Sequence, residues 1–415
     1  MRLRELATTL ERVVEIALPI ALLLSYLIGL TTWVSTDPDG PLRADFASLF
    51  AAAKVVASGD VTQLYNLDYQ GAVQRQITAP YVFAGGVLAY LNPPFFALAL
   101  SPLTALPYKL AFGVWVALGV VLYLLSIRLL LSMPPRLPRR HHRTVWLFAL
   151  GFYPAFAAVL LGQTTFISFA VFAASLSLLA RRHEFSSGAI LALGLFKPHL
   201  ILPWVVILVW QRRWRALTGF GAIGLALSAV SWSVVGLQGL IDYVRLLNVV
   251  STWEEVSGFN AVFTYSWNGF WRLFLPGDLR LATIATYVSD AVTLGILLYI
   301  WRKQPIVGTP RFWKATALSF AAAPLLVSHV LIYDMHFWFI AAIAVARFVP
   351  ALAPRQKVPL FACVLAGYLL PFLTPELSFK VGNLHGGVLL VMAFCIVIST
   401  LPVRDDHTDA KVIAS

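Results

Sequence analysis

The chain has 415 residues, 59% of them hydrophobic and only 12% charged, where soluble domains carry about 25% charged residues. A soluble fold of this size could not bury so much apolar surface, so the bilayer must be its solvent. The net charge of +12 does not mark a nucleic-acid binder, because the basic residues fall in short clusters between apolar runs and form no stripe.

In chain order the apolar runs lie at roughly 13–34, 108–131, 144–161, 164–180, 185–196, 198–210, 216–236, 281–301, 313–332, 335–349, 358–374 and 383–401. They predict an all-α polytopic membrane protein, a bundle of about 12 transmembrane helices forming one domain over 1–415. The first run is too long for a signal-peptide core and ends in Trp33-Val34-Ser35 with no small-residue cleavage site, so it is expected to remain as a helix. Basic clusters follow the runs: Arg136, Arg139, Arg140 and Arg143; Arg181 and Arg182; Arg212, Arg213 and Arg215; Arg302, Lys303, Arg311 and Lys314; Arg347, Arg355 and Lys357. With the N-terminus inside, each cluster falls in a cytoplasmic loop, both termini are cytoplasmic, and the protein belongs to the inner (plasma) membrane. The two cysteines, Cys363 and Cys395, sit in apolar runs and suggest neither a disulfide framework nor a metal site.

One stretch demands an unusual structure. The Arg181-Arg182 and Arg212-Arg213 clusters should share a side, yet only about 25 residues separate their apolar flanks, and two full crossings do not fit. Two short helices broken at Lys197-Pro198 do fit, with the backbone freed by proline lining a protein or water-filled cavity. Two large segments, about 35–107 and 237–280, are expected outside, forming the active face. The first holds Asp45, an apolar helix near Phe46–Ala57, a polar one near Tyr69–Gln76, the break Asn92-Pro93-Pro94, and an interfacial or re-entrant piece over Phe95–Leu106. The second carries Asp242, Arg245, Trp253, Glu254, Glu255, Trp267, Asn268, Trp271 and Arg272, an aromatic-rich mixture suited to the interface.

Charges near hydrocarbon cost about 2.5–3.5 kcal/mol each at the bilayer centre, so each needs a reason. Asp45, Gln163, Lys197, His199, His329, Tyr333 and Asp334 are all expected at one outer cavity. Taken singly, each has a plain structural reading: Asp45 as a loop carboxylate, His329 as an interfacial hydrogen-bonder, Lys197 as a snorkelling chain, Asp334 as the cap of the helix after it. Glu254 and Glu255 read as a solvated face. Together the seven suit one chemistry. A carboxylate takes the proton from an attacking sugar hydroxyl, while cationic or neutral donors hold a departing phosphate. No Gly-rich phosphate loop, His-Glu-x-x-His or Cys-x-x-Cys is present, and no carboxylate cluster marks a metal. No cofactor is expected. With no cytoplasmic nucleotide-binding domain, an activated donor has to arrive through the lipid.

Asp45-Phe46 with Ala51-Ala52, Gly59 and Leu64-Tyr65, then Asn92-Pro93-Pro94-Phe95, Pro102-Leu103, Pro107-Tyr108, Gly162-Gln163, Lys197-Pro198 and His329 with Tyr333-Asp334 resembles, in that order, the glycosyltransferase family 87 pattern. These are membrane enzymes of the GT-C superfamily, among them polyprenol-phosphate-mannose-dependent mannosyltransferases. The resemblance covers roughly 40–350. It implies a GT-C-like bundle that moves a sugar, mannose or another hexose, from a polyprenyl-phosphate donor to a lipid or glycan acceptor at the outer face, with inversion. It matches Asp45 to the catalytic base, and Lys197 and His329 to positions that contact the donor. Tyr90-Leu91-Asn92 departs from the commoner Tyr-x-Tyr-Pro-Pro form. The alternative is a secondary transporter or lipid-linked-sugar translocase, since broken helices with buried charges also mark transport sites; against it, no second copy of the Lys-Pro break exists.

Overall fold

A computed structural model describes residues 13–83, 86–134, 136–257, 261–303, 305–369 and 383–402, and among these the regular structure is entirely helical. In chain order the helices are α1 Leu18–Thr36, α2 Phe46–Ala57, α3 Leu67–Thr78, α4 Pro94–Leu100, α5 Tyr108–Ser132, α6 Arg139–Leu150, α7 Tyr153–Leu161, α8 Thr165–Ala180 and α9 Glu184–Ala192. There follow α10 Pro198–Trp210, α11 Trp214–Ser257, α12 Trp267–Phe274, α13 Leu279–Trp301, α14 Pro310–Ala322, α15 His336–Phe348, α16 Pro354–Leu369 and α17 Gly386–Thr400. Five helical stretches, Glu15–Thr36, Tyr108–Ser132, His141–Leu161, Trp214–Val249 and Leu279–Trp301, are long and apolar enough to cross a bilayer.

Every predicted apolar run contains helix, with three differences of detail. The run at 144–161 is split into α6 and α7 at Gly151-Phe152. The run at 216–236 does not stop where its hydrophobicity does. Gly236 adopts a left-handed φ of 66° inside α11 and bends it, and helix resumes into the polar segment as far as Ser257. The run at 358–374 is helical through Leu369, and residues 370–374 lie outside those described.

The predicted break is present. α9 tightens into a 3-10 turn over Leu193–Phe196, Lys197 leaves helical geometry at φ −126° and ψ 75°, and α10 begins at Pro198. The residue before a proline is sterically turned away from helix, and proline at the first helical position loses no hydrogen bond.

Basic residues close one end of the bundle. Arg347 Nη2 donates to Leu130 O at 2.5 Å, in the last turn of α5, while its guanidinium lies 4.6 Å from the Trp313 ring. Arg181 Nη2 donates to Ser132 O at 3.2 Å, and Lys314 Nζ to Ser399 O and Leu401 O at 2.9 and 2.5 Å. Cations thus sit on carbonyls at the C-terminal ends of α5 and α17, where the helix dipoles favour them. The N-terminal ends of α8 and α10 lie a helix length away from the Arg clusters that follow them, about 20–24 Å at 1.5 Å per residue.

Two apolar cores fill the bundle. The smaller gathers Phe46, Phe50, Tyr90, Phe96, Tyr108, Phe112 and Trp115 from α2, α4, α5 and the loop between them. The larger is centred on α8, α14 and α15.

Candidate active site

Gly162 shapes the first half of the site. α7 ends in a cap in which Gly162 N–H reaches Val159 O at 3.3 Å and Gln163 N–H reaches Ala158 O at 3.0 Å. That cap needs a left-handed residue, and φ at Gly162 is 60°. Space demands glycine as well, since a Cβ there would stand 2.8 Å from both Phe112 Cε2 and Phe46 Cβ. Trp115 Nε1 donates to Gly162 O at 2.8 Å and holds the turn against α5. The turn therefore delivers Gln163 to the start of α2, where Gln163 Nε2 donates to Asp45 Oδ2.

Asp45 immediately precedes α2, yet its side chain makes no cap bond with that helix. Its place is set by the next residue. Phe46 is fully buried, with the rings of Phe50, Tyr108, Phe112 and Trp115 at 5.7–5.8 Å. Asp45 itself is half-buried. The protein crowding its carboxyl pushes its pKa up, while the Gln163 amide and the charges of Lys197 and His329 pull it down less strongly. A carboxylate so raised is a stronger base than an exposed one.

Lys197 supplies the second half. Its Nζ donates to Asp334 Oδ1 at 3.0 Å, with side-chain exposures of only 15% and 5%, and lies 5.7 Å from the centre of the Tyr333 ring. Tyr333 and Asp334 belong to a 3-10 turn, Ile332–Met335, that leads into α15. Asp334 does not cap α15, which corrects that reading of it. It stands one residue before the cap position, Met335, and its carboxylate is taken by Lys197 instead. The Tyr333 hydroxyl is held well above its ordinary pKa by burial and by the nearby Asp334 and Asp45 carboxylates.

His329 is half-buried in the extended stretch between α14 and α15. Both flanking carbonyls are tied down: Ser328 O accepts from Asn268 Nδ2 at 3.2 Å and Ser266 Oγ at 3.4 Å, and Val330 O accepts from Tyr265 N–H at 2.8 Å. His199, at the start of α10, is the exposed member of the set and lies in electrostatic range of Lys197, Asp334 and His329. The seven residues singled out in the sequence are thus brought together. The side chains of Glu254 and Glu255 lie outside those described.

Two neighbours had no site role in the sequence reading. Asn92 fastens one proline break to the other: its Nδ2 donates to Phe196 O at 3.0 Å, and its own carbonyl accepts from Tyr65 Oη at 3.0 Å. Phe96 and Phe196 stack beside it with ring centres 4.7 Å apart. Tyr90, where the motif departs from the commoner form, is fully buried, and its backbone N–H donates to Gln70 Oε1 at 2.9 Å. The other, His336, is 2% exposed and lies in electrostatic range of Asp334 and Lys197. A histidine in the first turn of an apolar run reads as core, and only the ion pair nearby gives it meaning.

α2, α8, α10 and α15 all begin at this cluster, so four helix N-termini bring partial positive charge to it along with Lys197. Such a place favours a bound anion beside a carboxylate that is ready to accept a proton.

The sequence model of glycosyltransferase family 87 matches residues 90–328, more than half of the chain. The match includes Asn92, Gln163, Lys197 and His199 and ends at Ser328; Asp45, His329, Tyr333 and Asp334 lie outside it. No curated protein and no solved structure matched the chain. Its long apolar helices and this match together make the chain a membrane protein that belongs to glycosyltransferase family 87.

Proposed function

We propose that this glycosyltransferase takes its sugar from a polyprenyl-phosphate donor, mannose or another hexose, and passes it to a lipid or glycan acceptor on the non-cytoplasmic face. The observation that carries the reading is the Asp45 carboxylate, held by Gln163 in the field of Lys197 and His329. Asp45 removes the acceptor hydroxyl proton as that oxygen attacks the anomeric carbon. The bond from the anomeric carbon to the phosphate oxygen breaks, and its electron pair leaves with the phosphate. Lys197, His329 and the helix N-termini stabilise that departing charge. Attack opposite the leaving group inverts the anomeric centre. Asp334 and Tyr333 align Lys197, and His199 and Gln163 border the sugar.

In this reading the whole chain is one domain, a GT-C-like bundle of about 12 membrane helices in the inner membrane. Some of these, such as α9 and α10, are too short to cross alone. Both termini face the cytoplasm with the Arg clusters, and the site faces out. Sidedness is tested by single cysteines at the exposed positions Asp60 and Lys303, in a chain lacking Cys363 and Cys395. A membrane-impermeant thiol reagent on spheroplasts should label position 60 and spare 303, and the reverse pattern would invert the arrangement. The activity is tested with purified protein in proteoliposomes and polyprenyl-phosphate-linked hexoses, following sugar release from the donor and the anomeric configuration of the product. No transfer from any such donor, with transfer from a nucleotide sugar instead, would refute the proposal.

A further inference from the structure

At the opposite end of α10 from Lys197, a cavity of about 400 Å³ opens beside α13, lined by Val206, Val209, Trp210, Arg212 and Arg302. A second, of about 260 Å³, continues from Arg212 past Glu184, Gln211, Arg213, Pro305, Ile306 and Val307. The two differ in character: the first has an aliphatic wall and an exposed tryptophan, the second is mostly polar.

Charge in the pair is unbalanced. Glu184, the carboxylate in the lining, is spent on Arg213, 2.6 Å away. No hydrogen bond or ion pair engages the Arg212 guanidinium among the described residues, and the Arg302 guanidinium only lies over the Tyr299 ring at 3.6 Å. Gln211 is 6% exposed; its Oε1 accepts from Arg213 Nε at 2.7 Å, while its Nε2 has no partner among the described residues. A buried amide donor left without an acceptor costs about 1–3 kcal/mol, so a site that offers one is short of an acceptor. The C-terminal dipole of α10 opposes an anion here, but its last carbonyls are already satisfied by Arg212 N–H to Val209 O at 2.9 Å and Arg213 N–H to Leu208 O at 3.0 Å.

We propose that this groove binds one anionic phospholipid. The phosphate lies between Arg212 and Arg302, which line the first cavity together, close to its junction with the second where Gln211 lies, and an acyl chain runs along Val206 and Val209 with Trp210 at the headgroup level. The aliphatic wall selects a lipid over a free anion, and the uncompensated guanidiniums select an anionic headgroup over a zwitterionic one.

The substitution Arg212→Gly is suited to the test, because Arg212 has a left-handed φ of 53° that glycine adopts without strain. The fold is therefore kept while the charge is lost. The full-length protein in a neutral detergent is titrated with dioctanoyl phosphatidylglycerol, dioctanoyl phosphatidylcholine and inorganic phosphate, reading the thermal midpoint. Phosphatidylglycerol should raise the midpoint saturably, and the other two should not. Arg212→Gly should weaken the apparent affinity about ten-fold, and adding Arg302→Gln about as much again. Equal response to phosphatidylcholine, equal response to inorganic phosphate, or unchanged affinity in the double variant would each overturn the proposal. None of these outcomes bears on sugar transfer, whose machinery lies at the other end of α10.

Discussion

Lys197→Met separates the structural charge of Lys197 from its proposed contact to phosphate. The ion pair with Asp334 spans 3.0 Å with exposures of 15% and 5%; at an effective dielectric of about 20 its gross attraction is about 5 kcal/mol. Removing one partner of such a pair costs about 3–5 kcal/mol, because the other charge stays dehydrated. Proton uptake by a lone carboxyl at pH 7 costs about 4 kcal/mol, which caps the penalty. The single variant should therefore lose about 3–4 kcal/mol of stability, and Lys197→Met with Asp334→Asn should recover most of it. Turnover should stay low in both. The assay is a double-mutant cycle, with unfolding and transfer rate measured in the same detergent, and the expected coupling is about 2–3 kcal/mol. A single variant as stable as the parent, or a double variant no more stable than the single, would refute the buried pair. Recovery of turnover in the double variant would show that Lys197 serves the fold alone.

Further outcomes concern the Gly162 turn, with Gly59 as its control, and the Asp45 environment. Gly162→Ala should slow transfer at least about ten-fold, through clashes with Phe112 and Phe46 that move Gln163. Gly59→Ala, at φ 85° with nothing within 4 Å of its Cβ, should cost about 1 kcal/mol of stability from backbone strain alone and leave transfer intact. Because burial raises the Asp45 pKa, the base is lost as pH falls through a value above the ordinary carboxylate one. The acid limb of kcat/KM should report it. Gln163→Leu removes an interaction that lowers this pKa, so the limb should move to higher pH; a limb unmoved by that change would exclude Asp45 as its source.

The helical architecture and the Lys197-Pro198 break were legible because proline chemistry and apolar run length are local properties. The bend that carries α11 past Gly236 was not, because one glycine in a helical pattern does not announce a positive φ. Asp45, Gln163, Lys197 and His329 stood out as polar residues at the ends of apolar runs. Their pairings did not. Asp334, singled out for the cavity, had a helix cap as its plain local reading, since sequence shows only the backbone next to it, whereas its partner Lys197 lies 137 residues away. Asn92 and His336 matter through contacts with Phe196 O and with the Lys197–Asp334 pair, and such contacts exist only after folding.

The central claim, that Asp45 is the general base, is tested most directly by Asp45→Asn in the reconstituted transfer assay. Asparagine keeps an oxygen for the Gln163 amide and removes the base. A carboxyl whose folded pKa is raised gives stability that is present at low pH and lost as pH rises through that value. At neutral pH the Asn variant should therefore unfold at the same temperature as the parent or a higher one. Donor binding should persist, and turnover should fall by about two to four orders of magnitude. A folded Asn variant that binds donor and transfers sugar at close to the parent rate would contradict the account.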